Sequence, residues 1–318
     1  MKAALYTKYG LPEVLKVKEV EKPAPEDNEV LIRVCATTVT LYDCWGRACT
    51  GPPGFGLLIK LSSGVRKPKR PILGTEFAGE IESVGKDVNL FKKGDEVFGF
   101  TGMNLGANAE YVCMPEDGAL AKKPTNMTYE EAAAIPYGGL TALYFLRKGK
   151  IQTGQKVLIF GASGGVGTFA VQLAKYYGTE VTGVCSTPKI ELVRSLGADK
   201  VIDYTKEDFT KSGEIYDIIF DTIGKSPFSA SKRSLKKEGF YIFATFGLGR
   251  AFKVAFNKKA ISGLVEAKAE DLIFLSELIE AGKLRAVIDK QYPLEQIAEA
   301  HRYVESGQKK GQVVITLA

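Results

Sequence analysis

The chain has 318 residues, 45% of them hydrophobic and 25% charged, a composition typical of a globular protein with one large or two medium-sized domains. It contains no apolar run of the ~18 residues that a membrane span needs, and its first residues lack the features of a secretory signal. The net charge of +6 is mild, so nucleic acid is not indicated as a partner.

The first third of the chain is predicted to form short strands separated by turns. The β-rich stretches, bounded by Gly, Pro, Asn and Asp, are ALYTKYG, EVLIRVCATTV, EFAGEIESVG, DEVFGF and AEYVCMPE. Glycines between residues 74 and 106 recur too closely for helices, which favours a small twisted barrel or sandwich. Asp43 and Arg47, four residues apart, are expected to form a structural ion pair.

A basic segment interrupts these strands. It runs CTGPPGFGLLIKLSSGVRKPKRP and carries five positive charges, and no acidic residue occurs between Asp43 and Glu76. Its composition is that of a long surface loop with an apolar patch. For residues 57–70, a solvated insertion, a lid over a pocket and a contact with an acidic surface are all open alternatives.

From about Met127 the pattern changes to helices that alternate with apolar strands. A helix is predicted in YEEAAAIPYGGLTALYFLRKG, where Thr128 and Glu131 have the spacing of a capping box. Apolar strands then alternate with helices: KVLIF, EVTGVC, KVIDY, DIIFDTIG and FYIFATFG. Such strands form a parallel sheet that is covered on both faces. After about residue 268, two helices, EDLIFLSELIEAGKL and PLEQIAEAHRYVESG, precede a final strand, GQVVITLA.

The turn between KVLIF and the next helix is rich in glycine. It places Ala162, Gly164 and Gly167 in the spacing of the dinucleotide-binding fingerprint, with alanine at the first position. Without side chains, the backbone can approach a pyrophosphate while N–H groups at the helix N-terminus point at it. The preceding strand, the helix and the βαβ series support a nucleotide site. The expected contacts are Ala162, Ser163, Gly164, Gly165, Val166 and Gly167.

The next strand indicates which nucleotide binds. An NAD site places an acidic residue at the end of this strand, about 20 residues on, to hold the ribose hydroxyls. EVTGVC is instead followed by Ser186, Thr187, Pro188 and Lys189, and Glu180 lies at its other end. Hydroxyls and an ammonium bind a 2′-phosphate, which a carboxylate would repel. We therefore predict NADPH as the cofactor, with Ser186 and Lys189 at the phosphate; a solvent-facing Lys189 is the alternative.

A series of motifs in chain order carries a resemblance to a known family: GTEFAGEIESVGKDV, FKKGDEVFGF, GANAEYV, EEAAAIPYGGLTAL, GASGGVG and LGADKVIDY. The chain resembles the medium-chain dehydrogenase/reductase superfamily, in particular its zinc-free quinone oxidoreductase (zeta-crystallin-like) branch. The resemblance implies an α/β fold with a GroES-like β-barrel catalytic domain, formed by residues 1–123 and 268–318. A Rossmann cofactor-binding domain would span residues 124–267. Because family members are often dimers or tetramers, a homodimer or homotetramer is also implied.

Metal ligands are missing from the positions where zinc-dependent members of the superfamily hold their catalytic ion. These positions correspond to Thr40, Thr75 and Tyr137, and hydroxyls do not replace Cys and His as ligands of tetrahedral zinc. The family's four-cysteine lobe is absent, the five cysteines form no Cys-x-x-Cys pair, and His301 is the only histidine. We therefore expect no metal, no disulfide framework and a cytoplasmic location. His301 is expected to be a surface or domain-packing residue and not a catalyst.

The resemblance further implies reduction of an activated C=C bond in an enone or quinone, with hydride from NADPH. Hydrogen-bond donors then suffice to stabilise the negative charge on the carbonyl oxygen. Tyr137 and Thr40 are the catalytic candidates, and Tyr42 and Trp45 are candidates for the substrate pocket. Tyr137 or an ordered water would protonate the α-carbon; the alternative for Tyr137 is a pocket wall without a proton role.

The same resemblance implies further cofactor contacts. Thr141 would touch the phosphate or nicotinamide region, Tyr204 would lie beside the adenosine phosphate, and Phe246, Gly247 and Leu248 would line the nicotinamide. The family's Gly-Lys pair before the last strand is Gly311-Gln312 here, so it is assigned no contact. Two other functions stay open: a metal-free, NADP-linked alcohol or aldehyde dehydrogenase, and a non-catalytic NADPH-binding scaffold.

Overall fold

Two large β-sheets with different strand orders organise the chain. The structure, a computed structural model, describes residues 1–51, 60–61, 63–64, 66–245 and 259–317. The predicted α/β class, with a Rossmann domain beside a GroES-like domain, is confirmed by the two sheets below. The domain borders at residues 123 and 267 stay predictions.

The first sheet takes strands from both ends of the chain. Its strands are β3 (Glu29–Thr38), β4 (Glu76–Val84), β5 (Glu96–Phe100), β6 (Tyr111–Pro115), β7 (Leu120–Lys122), β14 (Ile288–Pro293) and β15 (Gln312–Thr316). They lie in the order β14-β15-β3-β4-β5-β7, with β6 also paired to β3. Because β15 pairs antiparallel with β3, the C-terminal segment returns to the sheet formed by the N-terminal part. A separate antiparallel pair consists of β1 (Lys2–Leu5) and β2 (Lys16–Glu19).

The second sheet is parallel throughout. Its strands are β8 (Lys156–Phe160), β9 (Glu180–Cys185), β10 (Lys200–Asp203), β11 (Tyr216–Asp221), β12 (Leu235–Phe243) and β13 (Ala260–Ile261). They lie in the order β10-β9-β8-β11-β12-β13, and every pairing is parallel. The order reverses between β8 and β11, and ligands of such sheets bind beyond the carboxyl ends of the strands at this point. The glycine turn follows β8 and therefore lies at the expected place.

Helices pack around both sheets. They are α1 (Leu41–Ala48), α2 (Tyr129–Ala133), α3 (Pro136–Lys148), α4 (Gly165–Tyr176), α5 (Ile190–Ser195), α6 (Phe228–Ser231), α7 (Ala269–Glu280) and α8 (Ile297–Glu305). Across the described ranges, none of the helices combines the length and apolar character that a bilayer crossing requires.

The sequence pattern located most elements but missed several features. The segment predicted as one helix from Tyr129 is divided into α2 and α3, because Pro136 lacks the N–H that would continue the first helix and instead starts the second. The capping box of Thr128 and Glu131 at the start of α2 is confirmed. The strands β2, β7, β13 and β14 and the helix α1 were not predicted; KVKE and IDKQYP, for example, are half-buried or exposed and lack apolar alternation.

Alternate residues of β8 enter different apolar cores. Val157 and Ile159 belong to an apolar cluster that also contains Ala78 of the first sheet and Phe169 of α4. Leu158 belongs to a separate apolar cluster that contains Phe209. This alternation is expected for a strand covered on both faces. The shared cluster joins the two sheets, so continuous apolar packing holds the two halves of the site together.

Candidate active site

In the glycine turn after β8, a side chain does not fit at Gly167, whereas at Gly164 a Cβ would make only an ordinary van der Waals contact. A Cβ at Gly167 would lie 2.1 Å from the carbonyl oxygen of Gly161, so a side chain does not fit there. A Cβ at Gly164 would have its nearest protein contact at 3.5 Å. Helix α4 starts at Gly165, and the first N–H groups of a helix lack intrahelical partners. The turn therefore presents bare backbone at Gly164 next to N–H donors that have no partner within the helix, which fits a dinucleotide pyrophosphate.

The C-terminal segment closes against the same turn. The N–H of Gly311 donates to the carbonyl of Ser163 at 2.9 Å, and Gly164 and Gly311 form an isolated β-bridge. The side chain of Gln312 lies against Gly165, since a Cβ on Gly165 would be 2.6 Å from Oε1 of Gln312. Gly311-Gln312, to which the family resemblance assigned no contact, therefore borders the glycine turn.

The predicted adenosine-binding residues lie at the carboxyl ends of β9 and β10. Ser186 directly follows β9, and Tyr204 directly follows β10, with its ring centroid 6.4 Å from that of Phe160. The Nζ atom of Lys189 donates a hydrogen bond to the carbonyl of Lys309 at 3.0 Å, and burial lowers the pKa of Lys189. Ser186, Lys189 and Tyr204 thus share one edge of the sheet next to the glycine turn, and their role at a phosphate stays a prediction.

A carboxylate that the sequence reasoning did not single out lies at the same edge. Asp203, the last residue of β10, is buried and accepts a hydrogen bond from the hydroxyl of Thr187. It also accepts from the N–H and the hydroxyl of Thr205, at 3.0 and 2.7 Å. The bond from Thr187, together with those from Thr205, lowers the pKa of Asp203. The carboxylate therefore ties the ends of two strands together, and an acid at the end of the apolar run KVID was its signal in the sequence.

On the substrate side, Thr40 is the N-cap of α1. Its hydroxyl donates to Oδ2 of Asp43 at 2.6 Å and accepts from the N–H of Asp43 at 3.3 Å, while the N–H of Thr40 donates to Oδ2 at 2.8 Å. Asp43 also accepts from the N–H of Gly74 at 3.0 Å. The hydroxyl proton of Thr40 is therefore already used. The expected Asp43–Arg47 ion pair is wrong, because the guanidinium of Arg47 pairs with Glu305 instead.

Tyr137 lies in the first turn of α3, next to the glycine turn. A Cβ on the following residue, Gly138, would be 2.5 Å from the carbonyl oxygen of Gly165, so α3 and α4 are in direct contact here. The ring centroid of Tyr137 is 6.3 Å from that of Phe100. Burial raises the pKa of Tyr137, so its phenol is protonated at neutral pH, and Tyr42 is close enough to contribute to that shift.

The two pocket candidates lie on α1. Tyr42 and Trp45 are three residues apart, so they share one face of the helix. The hydroxyl of Tyr42 donates to the sulfur of Met103 at 2.6 Å, and a guanidinium N–H of Arg70 donates to the carbonyl of Met103. The end of the basic segment therefore contacts the same loop as Tyr42. Residues 52–59 of that segment lie outside the described residues.

Glu76, which the sequence reasoning did not select, joins the two sides of the site. Its side chain is completely buried in β4. Oε2 accepts the backbone N–H of Tyr137 at 2.6 Å, and Oε1 accepts the hydroxyl of Thr38. Burial raises the pKa of Glu76 to about 7. The carboxylate therefore fixes the first turn of α3 to the first sheet, and its signal was a single acid inside the apolar stretch GTEFAG.

The residues at the positions that the family resemblance assigns to catalytic zinc are not of the types that bind this ion. The hydroxyl proton of Thr40 is donated to Asp43, Tyr137 is a protonated phenol, and the buried hydroxyl of Thr75 has no hydrogen-bond partner. Zinc in proteins is bound by thiolates, imidazoles and carboxylates. In the part of the chain that the structure describes, no group of three or more His, Cys, Asp and Glu side chains is arranged to hold a metal ion.

The remaining predicted residues have different outcomes. Thr141 lies one turn after Tyr137 on α3 and is buried, and its contact with a cofactor stays a prediction. Phe246, Gly247 and Leu248 lie outside the described residues. His301 is fully buried, with Nδ1 3.5 Å from Sγ of Cys44 on α1, so its expected packing role is confirmed. Burial lowers the pKa of His301 to about 3.

Comparison with known proteins agrees with this architecture. The profile of the "Alcohol dehydrogenase GroES-like domain" matches residues 26–125, and that of the "Zinc-binding dehydrogenase" family matches residues 196–315. The chain is 33% identical to the 2-methylene-furan-3-one reductase of Solanum lycopersicum, over 99% of this chain and 79% of that protein.

Two solved structures extend the comparison to three dimensions. The quinone oxidoreductase of Coxiella burnetii superposes with a TM-score of 0.91 at 32% identity, covering 100% of this chain and 99% of the other. The Escherichia coli quinone oxidoreductase, solved in complex with NADPH, gives a TM-score of 0.85 at 26% identity and covers 100% of both chains. The chain therefore belongs to the quinone oxidoreductase branch of the medium-chain dehydrogenase/reductase superfamily.

Proposed function

We propose that the chain is an NADPH-dependent, zinc-independent reductase of quinones or α,β-unsaturated carbonyls. One observation carries the proposal: Tyr137, which the family resemblance assigns to a metal-ligand position of zinc-dependent relatives, is a partly buried phenol whose raised pKa keeps it protonated, on a helix that contacts the glycine turn. A neutral donor at this place can stabilise an oxygen that becomes negative when hydride adds to the conjugated carbon. Reduction of a C=C bond needs no stronger electrophile.

In this proposal the cofactor lies along the edge of the parallel sheet. NADPH supplies the hydride when bound. The turn from Ala162 to Gly167 holds the pyrophosphate with backbone N–H groups, and Ser186, Lys189 and Tyr204 hold the 2′-phosphate end. Thr141, on the face of α3 that meets the turn, lies towards the nicotinamide. The similarity to a quinone oxidoreductase solved with NADPH supports this choice of cofactor.

The residues of the substrate side then have separate roles. Tyr137 donates a hydrogen bond to the substrate oxygen and a proton to complete the reaction, directly or through water. Glu76 positions Tyr137, because it holds the backbone N–H of that residue at 2.6 Å. Thr40 acts as a positioning residue through its cap of α1, since its proton is held by Asp43. Tyr42 and Trp45 line the pocket from a half-buried face of the same helix.

Product analysis tests the reaction. Incubation with NADPH and an α,β-unsaturated ketone should give the saturated ketone, and a chelator should leave the rate unchanged because no metal takes part. Tyr137→Phe should lower kcat by about 10²- to 10⁴-fold, as expected for loss of a well-placed proton donor. Tyr144→Phe removes a hydroxyl from the same helix outside the site and serves as the control.

Three results would contradict this reaction. An allylic alcohol as product would favour the alcohol or aldehyde dehydrogenase alternative, and tight NADPH binding without turnover across quinones, enones and 2-alkenals would favour a scaffold. An unchanged kcat in Tyr137→Phe would leave Tyr137 as a pocket wall.

Lys189→Glu tests the cofactor assignment. The KM for NADPH should rise about 10- to 100-fold more than the KM for NADH, because only NADPH carries the 2′-phosphate that the lysine would bind. Lys189→Gln removes the charge without adding repulsion, so it should give a smaller change of the same sign. Steady-state kinetics with both nucleotides measures this ratio, and equal changes for the two would remove Lys189 from the phosphate site.

A further inference from the structure

Lys309, in the segment between α8 and β15, is a partly buried cation that forms no ion pair with a described residue, although the charges of Glu76 and Asp289 act on it from a longer distance. Its Nζ atom donates to the carbonyl of Gly311 at 2.6 Å and lies 3.5 Å from Oε1 of Gln312, and both oxygens are neutral. Among the residues with described positions, no carboxylate oxygen lies within the 4.0 Å of an ion pair with this atom. Burial lowers the pKa of Lys309 to about 8. Because the effect of burial on this pKa outweighs the opposing charges of Glu76 and Asp289, the ammonium is only partly compensated and the site favours a further anion.

The ammonium of Lys309 is directed to the glycine turn. Gly311, whose carbonyl accepts its hydrogen bond, also donates its own N–H to Ser163 and forms the β-bridge with Gly164. Gly164 is the N-cap of α4, where a Cβ would meet its nearest protein atom at 3.5 Å. The charge of Lys309 is therefore held beside the N–H donors that are arranged for an anion.

A second cation lies next to Lys309. The ammonium of Lys189 donates to the carbonyl of Lys309 at 3.0 Å, and its positive charge contributes to the lowered pKa of Lys309. Lys189 likewise forms no ion pair within the described ranges of the chain. The charge of Asp289 acts on both lysines but forms an ion pair with neither, so the two neighbouring ammonium groups can still attract an anionic ligand with more than one charged group.

We propose that Lys309 binds the pyrophosphate of the dinucleotide and is brought to the glycine turn by the C-terminal segment, while Lys189 binds the 2′-phosphate. The proposal rests on the dinucleotide binding of the proposed function. NADH and NADPH share the pyrophosphate, whereas only NADPH has the 2′-phosphate. The effects of the two lysines on affinity can therefore be measured separately. Lys309 should contribute to the binding of both nucleotides, and Lys189 to the binding of NADPH alone.

Fluorescence titration of the full chain with NADPH and with NADH tests this division. Lys309→Gln should raise the Kd of both nucleotides by about 10- to 100-fold, and Lys309→Arg should restore most of the affinity because it keeps the charge. Lys189→Gln should raise the Kd of NADPH alone. Lys310→Gln removes the same charge from the neighbouring exposed residue and should change either Kd by less than about 3-fold, as expected for a screened surface charge.

Thermal unfolding separates phosphate binding from a purely structural role. Without nucleotide, Lys309→Gln should unfold at the wild-type temperature or above it, because the variant no longer buries a charge that is only partly compensated. The rise in unfolding temperature on adding NADPH should be smaller than in the wild type. A structural lysine would instead lower the unfolding temperature of the free protein and leave the nucleotide affinities unchanged, and that result would overturn the proposal.

The outcomes also distinguish this inference from the proposed reaction. Loss of affinity for NADPH alone in Lys309→Gln would place Lys309 at the 2′-phosphate and contradict the pyrophosphate assignment. The wild type could bind both nucleotides, with the expected differences between variants, and yet reduce no enone or quinone. That result would support the pyrophosphate assignment of Lys309 and contradict the proposed reaction. A wild type that binds neither nucleotide would overturn both.

Discussion

Gly164→Ala should leave the fold intact and weaken dinucleotide binding, whereas Gly167→Ala should destabilise the fold itself. The Cβ added by Gly164→Ala would meet no protein atom closer than 3.5 Å, so the methyl group would project into the space where the pyrophosphate approaches. Loss of one or two backbone hydrogen bonds to the phosphate corresponds to a rise in Kd of about 10- to 100-fold. The unfolding temperature of the free protein should stay within about 2 °C of the wild type, because the change affects only a helix cap.

Gly167→Ala has the opposite profile because its methyl group points into the protein. The new Cβ would lie 2.1 Å from the carbonyl oxygen of Gly161 and 2.8 Å from backbone atoms of Ala162, so strand β8 and helix α4 must move apart. Overpacking of this kind costs about 3 kcal/mol, more than the ~1 kcal/mol that alanine contributes to a helix interior. A fall in unfolding temperature of roughly 3–5 °C follows.

Thermal unfolding and NADPH titration of the two variants measure this contrast, and each variant is the control for the other. Equal losses of stability would show that Gly164 is also required by packing. Full NADPH affinity in Gly164→Ala would mean that the phosphate does not approach this glycine, and it would contradict the cofactor position on which the proposed reaction depends.

Two buried titrating groups should give the stability of the protein opposite dependences on pH. The pKa of His301 falls from 6.5 to about 3 on folding, so the unfolded chain binds more protons below pH 6.5 and stability is lost as the pH falls towards 3. The pKa of Glu76 rises from 4.5 to about 7 on folding. The native state then binds more protons between pH 4.5 and 7, and stability from this group is lost as the pH rises through that window.

The two contributions offset each other in the wild type, and single variants should reveal them. Between pH 7 and pH 5, each group changes the free energy of unfolding by about 2 kcal/mol, with opposite sign. Acidification over this range should therefore destabilise Glu76→Gln by about 2 kcal/mol relative to the wild type and stabilise His301→Gln by a similar amount.

Urea unfolding at pH 7, 6 and 5 gives the free energies needed for this comparison. The double variant is the control, because it lacks both groups and should recover a slope close to that of the wild type. Parallel pH profiles for all four proteins would show that neither side chain titrates in the folded state as its burial requires.

Local patterns predicted most of the fold. Apolar runs such as KVLIF and EVTGVC became the central parallel strands, and Thr128 with Glu131 capped α2 as its spacing required. The patterns failed for strands that bury no apolar face, because their sequences do not alternate between apolar and polar residues; the half-exposed strand β14 is an example. They also failed for Asp43 and Arg47, whose helical spacing allows an ion pair, because the folded chain offers Thr40, Gly74 and Glu305 as better-placed partners.

The sequence by itself determined the glycine turn, the parallel sheet that carries it and the hydroxyls at the zinc positions, because each depends on residue type and on neighbours only a few positions away. Only the tertiary structure decided which distant groups meet. Glu76 binds the backbone of Tyr137 across 61 residues, and Gln312 reaches Gly165 across 147. Such contacts form because buried polar groups require hydrogen-bond partners, and the packing of the sheets decides which partners are near. No periodic pattern in the sequence indicates them.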